Sequence, residues 1–152
     1  MMIDINKFSE YLHNKIGIII DSKNIHHVKD FIQKNTAKKE ISDQIEISFD
    51  DFFEPKILEL LINKLTINET YFFRDSTHID FIKDFVKQNI SKKGLIIWSM
   101  GCSSGEEAYT IALILKDMGI LDQKNIPIKI YGFDINTNFL EMARKSIYSS
   151  WS

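Results

Sequence analysis

The chain has 152 residues, 44% hydrophobic and 26% charged, with a net charge of −2 at neutral pH, which is the chemistry of one folded domain or two small ones and excludes a disordered chain. No run of five like charges occurs, so no nucleic-acid surface is expected. A single cysteine, Cys102, excludes an internal disulfide framework, the start MMIDINKFSE has no secretory pattern, and the apolar run Ile16–Ile20 is far too short to span a bilayer; the reading is a cytoplasmic protein without membrane insertion.

Residues 1 to about 65 carry helical periodicity only. Phe8, Leu12 and Ile16 share one face, and Ile25, Val28 and Ile32 another, with Asn24 where an N-cap would sit. The polar stretch NTAKKEISDQIEIS reads as a loop. Ser48 precedes an acidic-aromatic segment, Phe49–Glu54. Pro55 suits the first turn of a third helix, with Ile57 or Leu58, Leu61, Ile62 and Leu65 on its apolar face. The pattern then alternates. Ser76 and Thr77 are N-cap residues for a helix with Ile79, Ile82, Phe85 and Val86 inward. Lys92, Lys93 and Gly94 form a turn, and LIIWSM is a short, continuous apolar run of strand length. A helix from Gly105 to Met118 follows, with Ala108, Ile111, Ala112 and Leu115 on one face and Gly119 as its stop. Pro127 opens a second strand, IKIYGFDI. Asn136 to Asn138 cap a last helix with Leu140, Ala143 and Ile147 inward. Strand, helix, strand, helix predicts a βαβα unit with a parallel strand pair.

Three stretches can carry chemistry. Ligands of open parallel sheets bind beside the loops that follow the strands, and Gly101–Gly105 is such a loop. Its G-x-x-x-G spacing is neither the dinucleotide fingerprint nor a P-loop. It is either a ligand loop or a structural turn, since Ser103 with Glu106 and Ser104 with Glu107 each match a capping box. Asp134, ending the second strand, can accept hydrogen bonds from both ribose hydroxyls of a nucleoside, or simply sit in a polar loop. In KLTINETYFFRD, Arg74 can clamp a carboxylate or pair with Asp75 at the surface. His13, His26, His27 and His78 read as surface or interhelix residues; His26 and His27 are adjacent and point apart, so no metal is expected.

Taken together, LTINETYFFRD, WSMGCSSGEEAYTIAL and FDINTNFLEMARKSIYS, in this order and spacing, resemble the CheR-type methyltransferases that esterify glutamates on bacterial chemoreceptors. The match runs from about Leu65 to Trp151, and more loosely through YLHNKIGIII and SFDDFF before it. The resemblance implies an α/β protein: an N-terminal helical CheR-like domain, residues 1–65, then residues 66–152 as the first half of a Rossmann-like S-adenosylmethionine-dependent methyltransferase sheet, truncated relative to the family's seven strands. It implies S-adenosyl-L-methionine as cofactor and S-adenosyl-L-homocysteine as product. Asn68, Thr70 and Arg74 fall at the methionine end, Arg74 taking its carboxylate as the one catalytic candidate; Glu106 matches a cofactor contact and Asp134 the ribose contact.

The implied partner is the cytoplasmic domain of a methyl-accepting chemotaxis protein. The family's N-terminal domain resembles an arginine-rich docking surface, whereas residues 1–64 here hold no arginine, only lysines such as Lys29, Lys34, Lys38 and Lys39. The open half-sheet implies a complementary chain or self-association. Two activities fit: protein-glutamate O-methyl transfer, or an inactive remnant or binding module that retains part of the cofactor site.

Overall fold

The computed structural model describes residues 5–21, 24–36 and 54–152. Lys38, Lys39, Ser48, most of the expected 35–48 loop and all of the acidic-aromatic segment except Glu54 lie outside the described residues. The chain divides into two compact units, Met1–Thr66 and Ile67–Ser152. Among the described residues no helix is long and apolar enough to cross a membrane.

The first unit holds α1 (Ile5–Ile16), α2 (Ile25–Thr36) and α3 (Pro55–Leu65). Phe8, Leu12, Val28, Phe31, Leu61 and Leu65 form one buried core, with Ile16, Ile18, Ile20 and Ile57 packed against it. On α2 Val28 is buried as expected and Phe31 joins it, at the i, i+3 spacing that also makes a helical stripe; the Ile32 side chain lies outside the described set. Pro55 occupies the start of α3, where its missing N–H costs nothing. Asn24 sits at the N-cap position of α2, its carbonyl accepting from the Val28 N–H at 3.2 Å; its side-chain oxygen accepts from the Asp21 N–H at 2.9 Å and its own N–H donates to the Asp21 carboxylate at 3.1 Å. The rings of His26 and His27 do not point apart; their centroids are 3.8 Å from each other, since side-chain torsions can return what adjacent Cβ directions separate.

The second unit is a mixed helix–strand arrangement: α4 (Ser76–Asn89), β1 (Leu95–Met100), α5 (Glu106–Asp117), β2 (Ile128–Phe133) and α6 (Thr137–Lys145). β1 and β2 pair in parallel, Leu95 opposite Ile128 through Met100 opposite Phe133, as the intervening helix requires. One sheet face, with Leu95, Ile97, Ile128 and Ile130, packs against Val86 of α4 and Ile111, Leu115 and Ile120. α5 ends in a Schellman motif: Gly119, at φ +70°, donates to the Lys116 carbonyl and Ile120 to that of Leu115, and the Ile120 side chain folds back onto Leu115 in the core.

Several expected faces are corrected. Asp75, not Ser76 or Thr77, caps α4, accepting from the N–H groups of Thr77 and His78. The His78 N–H, foremost, holds its carboxyl below the ordinary range, so its capping charge is present above the unfolded pKa and lost as pH falls through the lowered one. Phe85 lies beside the buried stripe, exposed and stacked on Phe81. On α5 Ile114, not Ala112, completes the core, and Glu106 and Thr110 are buried as well. α6 buries no residue fully, and Ile147 beyond it is 82% exposed.

The other sheet face presents Ile96, Trp98, Met100, Tyr131 and Phe133, all exposed, with Trp98 edge-on to Phe133 at 5.7 Å. Contiguous apolar surface and unpaired strand edges drive association. The 152-residue chain is therefore expected to self-associate. In size-exclusion chromatography with light scattering, its mass should rise with concentration and fall toward the monomer in Trp98→Thr. A monodisperse monomer at every concentration would contradict this.

Candidate functional site

The loop after β1 is docked onto the end of β2. The N–H groups of Gly101 and Cys102 both donate to the Phe133 carbonyl, at 2.8 and 2.9 Å. Gly101 (φ +78°) turns the chain, and an added Cβ there would meet nothing within 4 Å. Ser103, itself at φ 51°, donates its N–H to Asp134 Oδ2 at 2.7 Å, and the Asn136 N–H donates to Asp134 Oδ1 at 2.8 Å. One carboxylate thus joins the two strand exits. Asn136 is fully buried and caps α6 through the Phe139 N–H.

Neither expected capping box forms. Gly105, at φ +98°, is itself the N-cap of α5, so both serines fall too early for the box, which needs the N-cap and N3 positions. They make other links. Ser103 Oγ donates to the Asn68 carbonyl at 2.9 Å, and Ser104 Oγ to Glu106 Oε2 at 2.7 Å. Glu107 instead accepts from Ser99 Oγ at 2.6 Å.

Residues 67–75 meet the loop and α5 through Asn68 and Phe73. Asn68 reaches the loop by main chain, and the Phe73 N–H donates to Thr110 Oγ1 of α5 at 3.1 Å. Phe73 has φ 55°, a strained value for a bulky residue that the Thr110 bond helps hold. Arg74 is not spent on Asp75. Its Nη1 donates to the Glu69 carbonyl at 2.8 Å, and the guanidinium lies 5.7 Å from the Tyr71 ring centre. The loop therefore gathers Asn68, Glu106 and Asp134. Thr70 is half-buried on the same segment as Asn68; Arg74 is exposed, and no hydrogen bond joins it to the loop among the described residues.

Ser99, Thr110 and Tyr148 carry no separate signal in the sequence, although Ser99 and Thr110 fall within WSMGCSSGEEAYTIAL and Tyr148 within FDINTNFLEMARKSIYS. The Tyr148 hydroxyl donates to the Ser104 carbonyl at 2.7 Å, and its ring packs edge-on to Phe72 and Tyr109. Burial, then the nearby Glu106 carboxylate and Tyr109, push its pKa up to about 12. A folded pKa raised above the unfolded value of 10.0 gives stability fully present below that value and lost as pH rises toward the folded one. The stability difference between the wild type and Tyr148→Phe should accordingly be constant at neutral pH and shrink between roughly pH 10 and 12, as read by urea melts. A pH-independent difference would contradict this. Burial and the Asp134 carboxylate likewise raise the Cys102 thiol, which favours its protonated, less reactive form.

The arrangement suits a small ligand carrying positive charge. Glu106 is 3% exposed, and among the described residues no basic side chain forms an ion pair with it. Buried carboxylates are costly without a counter-charge. Among the described residues no cluster of three or more metal-ligating side chains occurs.

A family model described as CheR methyltransferase, SAM binding domain, matches residues 68–152. The chain is 43% identical over 95 residues to a chemotaxis protein methyltransferase of Borreliella burgdorferi, covering 58% of this chain and 34% of that one. It is 32% identical over 165 residues to chemotaxis protein methyltransferase 2 of Vibrio cholerae, covering 98% and 54%. A Pseudomonas aeruginosa relative of the same name is 37% identical over 108 residues, covering 66% and 38%. The chain spans about half the length, or less, of these curated relatives. The cofactor of the matched domain is S-adenosylmethionine.

Proposed function

Because the chain belongs to the CheR methyltransferase family, we propose that it carries the cofactor half of a protein-glutamate O-methyltransferase acting on the cytoplasmic domain of a chemoreceptor. Residues 66–152 are read as the first part of a Rossmann-like methyltransferase domain, and residues 1–65 as the helical domain that precedes it. The protein is read as cytoplasmic. The observation that carries the proposal is the family match over residues 68–152, which includes the glycine loop and both carboxylates that meet it.

When bound, the cofactor supplies an electrophilic methyl on a sulfonium. A substrate carboxylate is already ionised at neutral pH, so with the cofactor bound it would be ready to accept the methyl, giving a methyl ester and S-adenosylhomocysteine. No proton moves, and no general base is needed. The chain's own task is to hold and orient. Asp134 keeps acceptor capacity after receiving the Ser103 and Asn136 N–H groups, since a carboxylate offers about four lone-pair sites, and this is read as the ribose contact. Glu106 is read as the partner of the cofactor's ammonium. Arg74 would exchange the Glu69 carbonyl for the methionine carboxylate, where its fork makes two parallel bonds, with Asn68 and Thr70 beside it. In-line positioning of the reacting atoms is the main source of rate in such a transfer.

Two measurements on the 152-residue chain test this reading. Calorimetric titration with S-adenosylhomocysteine should detect binding that weakens about tenfold or more in Arg74→Ala, the value of one charge-assisted contact. Labelled methyl from S-adenosylmethionine should appear as base-labile ester on a receptor cytoplasmic fragment. Unchanged binding in Arg74→Ala overturns the assignment of that residue. Binding without any transferred label identifies a module that retains part of the cofactor site without the activity.

A further inference from the structure

We infer that Gly132 is a positioning residue for the cofactor loop: the Cys102 side chain fills the space beside it, and this contact sets how closely Gly101–Gly105 lies on the end of β2. The inference rests on the reading of that loop as the cofactor site.

Gly132 lies in β2, in register with Ser99 of β1. It is not among the residues with positive φ, so its backbone would accept any L-residue. Space is what demands glycine. A Cβ built there would lie 2.9 Å from Cys102 Sγ and 3.3 Å from Cys102 Cβ, with Ala108 Cβ at 4.0 Å. The sulfur has little freedom to move aside, because Cys102 is 2% exposed. Relief must come from the backbone, through a lift of the loop by about half an ångström, enough to take hydrogen bonds out of their usual range.

The bonds at risk are those that make the site. Gly101 and Cys102 donate to the Phe133 carbonyl next to Gly132, and Ser103 donates to Asp134 one residue further on. A lift at Cys102 pulls the Ser103 N–H from Asp134 Oδ2 and frees the carboxylate that is read as the ribose contact. Cysteine over glycine is therefore a matched pair of sizes, one on each strand exit.

The pair is tested by Gly132→Ala and Cys102→Ala/Gly132→Ala in the 152-residue chain, with circular dichroism as the check of folding. Cys102 is the only cysteine, so its rate of reaction with 5,5′-dithiobis(2-nitrobenzoate) reports the loop without any cofactor. That rate should rise about tenfold or more in Gly132→Ala, as a local opening cheaper by one weak interaction predicts. Binding of S-adenosylhomocysteine should weaken about tenfold in Gly132→Ala, and the double variant should regain most of it, since removing the sulfur relieves the closest contact. An unchanged thiol rate overturns the inference, and so does a double variant that binds as poorly as the single one. If Gly132→Ala fails to fold, restoration of a folded, binding chain by the second substitution supports the pairing, and no restoration overturns it. If the wild type binds no S-adenosylhomocysteine, the proposed function fails, and the thiol rates alone decide whether Gly132 positions the loop.

Discussion

Replacing Asp134 with alanine is expected to lower stability by about 2–3 kcal/mol and to weaken S-adenosylhomocysteine binding about a hundredfold or more. The stability loss comes from two N–H groups, those of Ser103 and Asn136, which now share one ionised acceptor at 2.7 and 2.8 Å. Hydrogen bonds to a charged group contribute about 1.5–3 kcal/mol each; Asp134 is half-buried, so water replaces part of them and the sum is reduced accordingly. The binding loss adds the contact proposed for the ribose. Asparagine is not a conservative replacement here. Its amide oxygen can accept from one N–H, but its NH2 would face the other donor. Asp134→Asn should therefore fall near alanine in both measurements. Urea melts and titration calorimetry on the same preparations decide the matter; an alanine variant with unaltered stability would show that the carboxylate does not hold the two strand exits together.

The second large effect is expected far from the site. Gly94 has φ +88°, and a Cβ added there would lie 2.1 Å from the Pro127 carbonyl oxygen and 2.6 Å from its ring. That oxygen is the acceptor for the Leu95 N–H, so the clash falls where the parallel ladder begins. A left-handed conformation costs an L-residue about 1–2 kcal/mol, and overpacking against backbone that cannot rotate away adds about 1–3 kcal/mol. Gly94→Ala should destabilise by about 3 kcal/mol in total. Gly119→Ala is the control: φ is again positive, at +70°, but nothing lies within 4 Å of the added carbon. It should lose only the conformational part, about 1 kcal/mol. Equal losses at the two positions would show that space beside Pro127 is not what Gly94 provides.

The contrast between these elements explains what was legible in the sequence. LIIWSM announces a strand as a nearly continuous apolar run after Gly94, and IKIYGFDI as a short strand-length stretch opened by Pro127, and the helix between them forces parallel pairing; the observed β1 and β2 pair so, with β2 ending at Phe133. Helix starts were harder to read. Asp75, Ser76 and Thr77 are three competent caps in a row, and only the geometry selects the aspartate. Ser103 and Ser104 satisfied a capping pattern in two frames, yet the left-handed Gly105 took the position from both. Aromatic residues at the margin of a stripe misled for a similar reason: Phe85 has helical spacing from Ile82 and from Phe81, and it stacks on Phe81. At the site, residues that act through side chains, such as Asp134, leave a mark in sequence. Asn68 meets the loop through its main-chain carbonyl, which any residue could supply. The fit of Cys102 over Gly132 has no local signal at all, because it exists only after two strands have paired.

The hydrogen bond between Ser103 and Asp134 spans 31 positions of chain, but neighbouring strands lie only about 4.8 Å apart. Ser103 follows one strand and Asp134 the other, and their juxtaposition does not exist in the unfolded chain. A molecule that occupies the proposed site is thus a ligand of the strand pairing itself, and at a hundred times its dissociation constant it should shift the folding equilibrium by about 2.7 kcal/mol. The coupling runs both ways. Where the folded population is small, apparent affinity falls in proportion to it, so a substitution as remote as Gly94→Ala can mimic a binding defect without altering one contact to the ligand. Intrinsic affinities for this chain are therefore to be extracted only after the folded fraction has been measured under the same conditions.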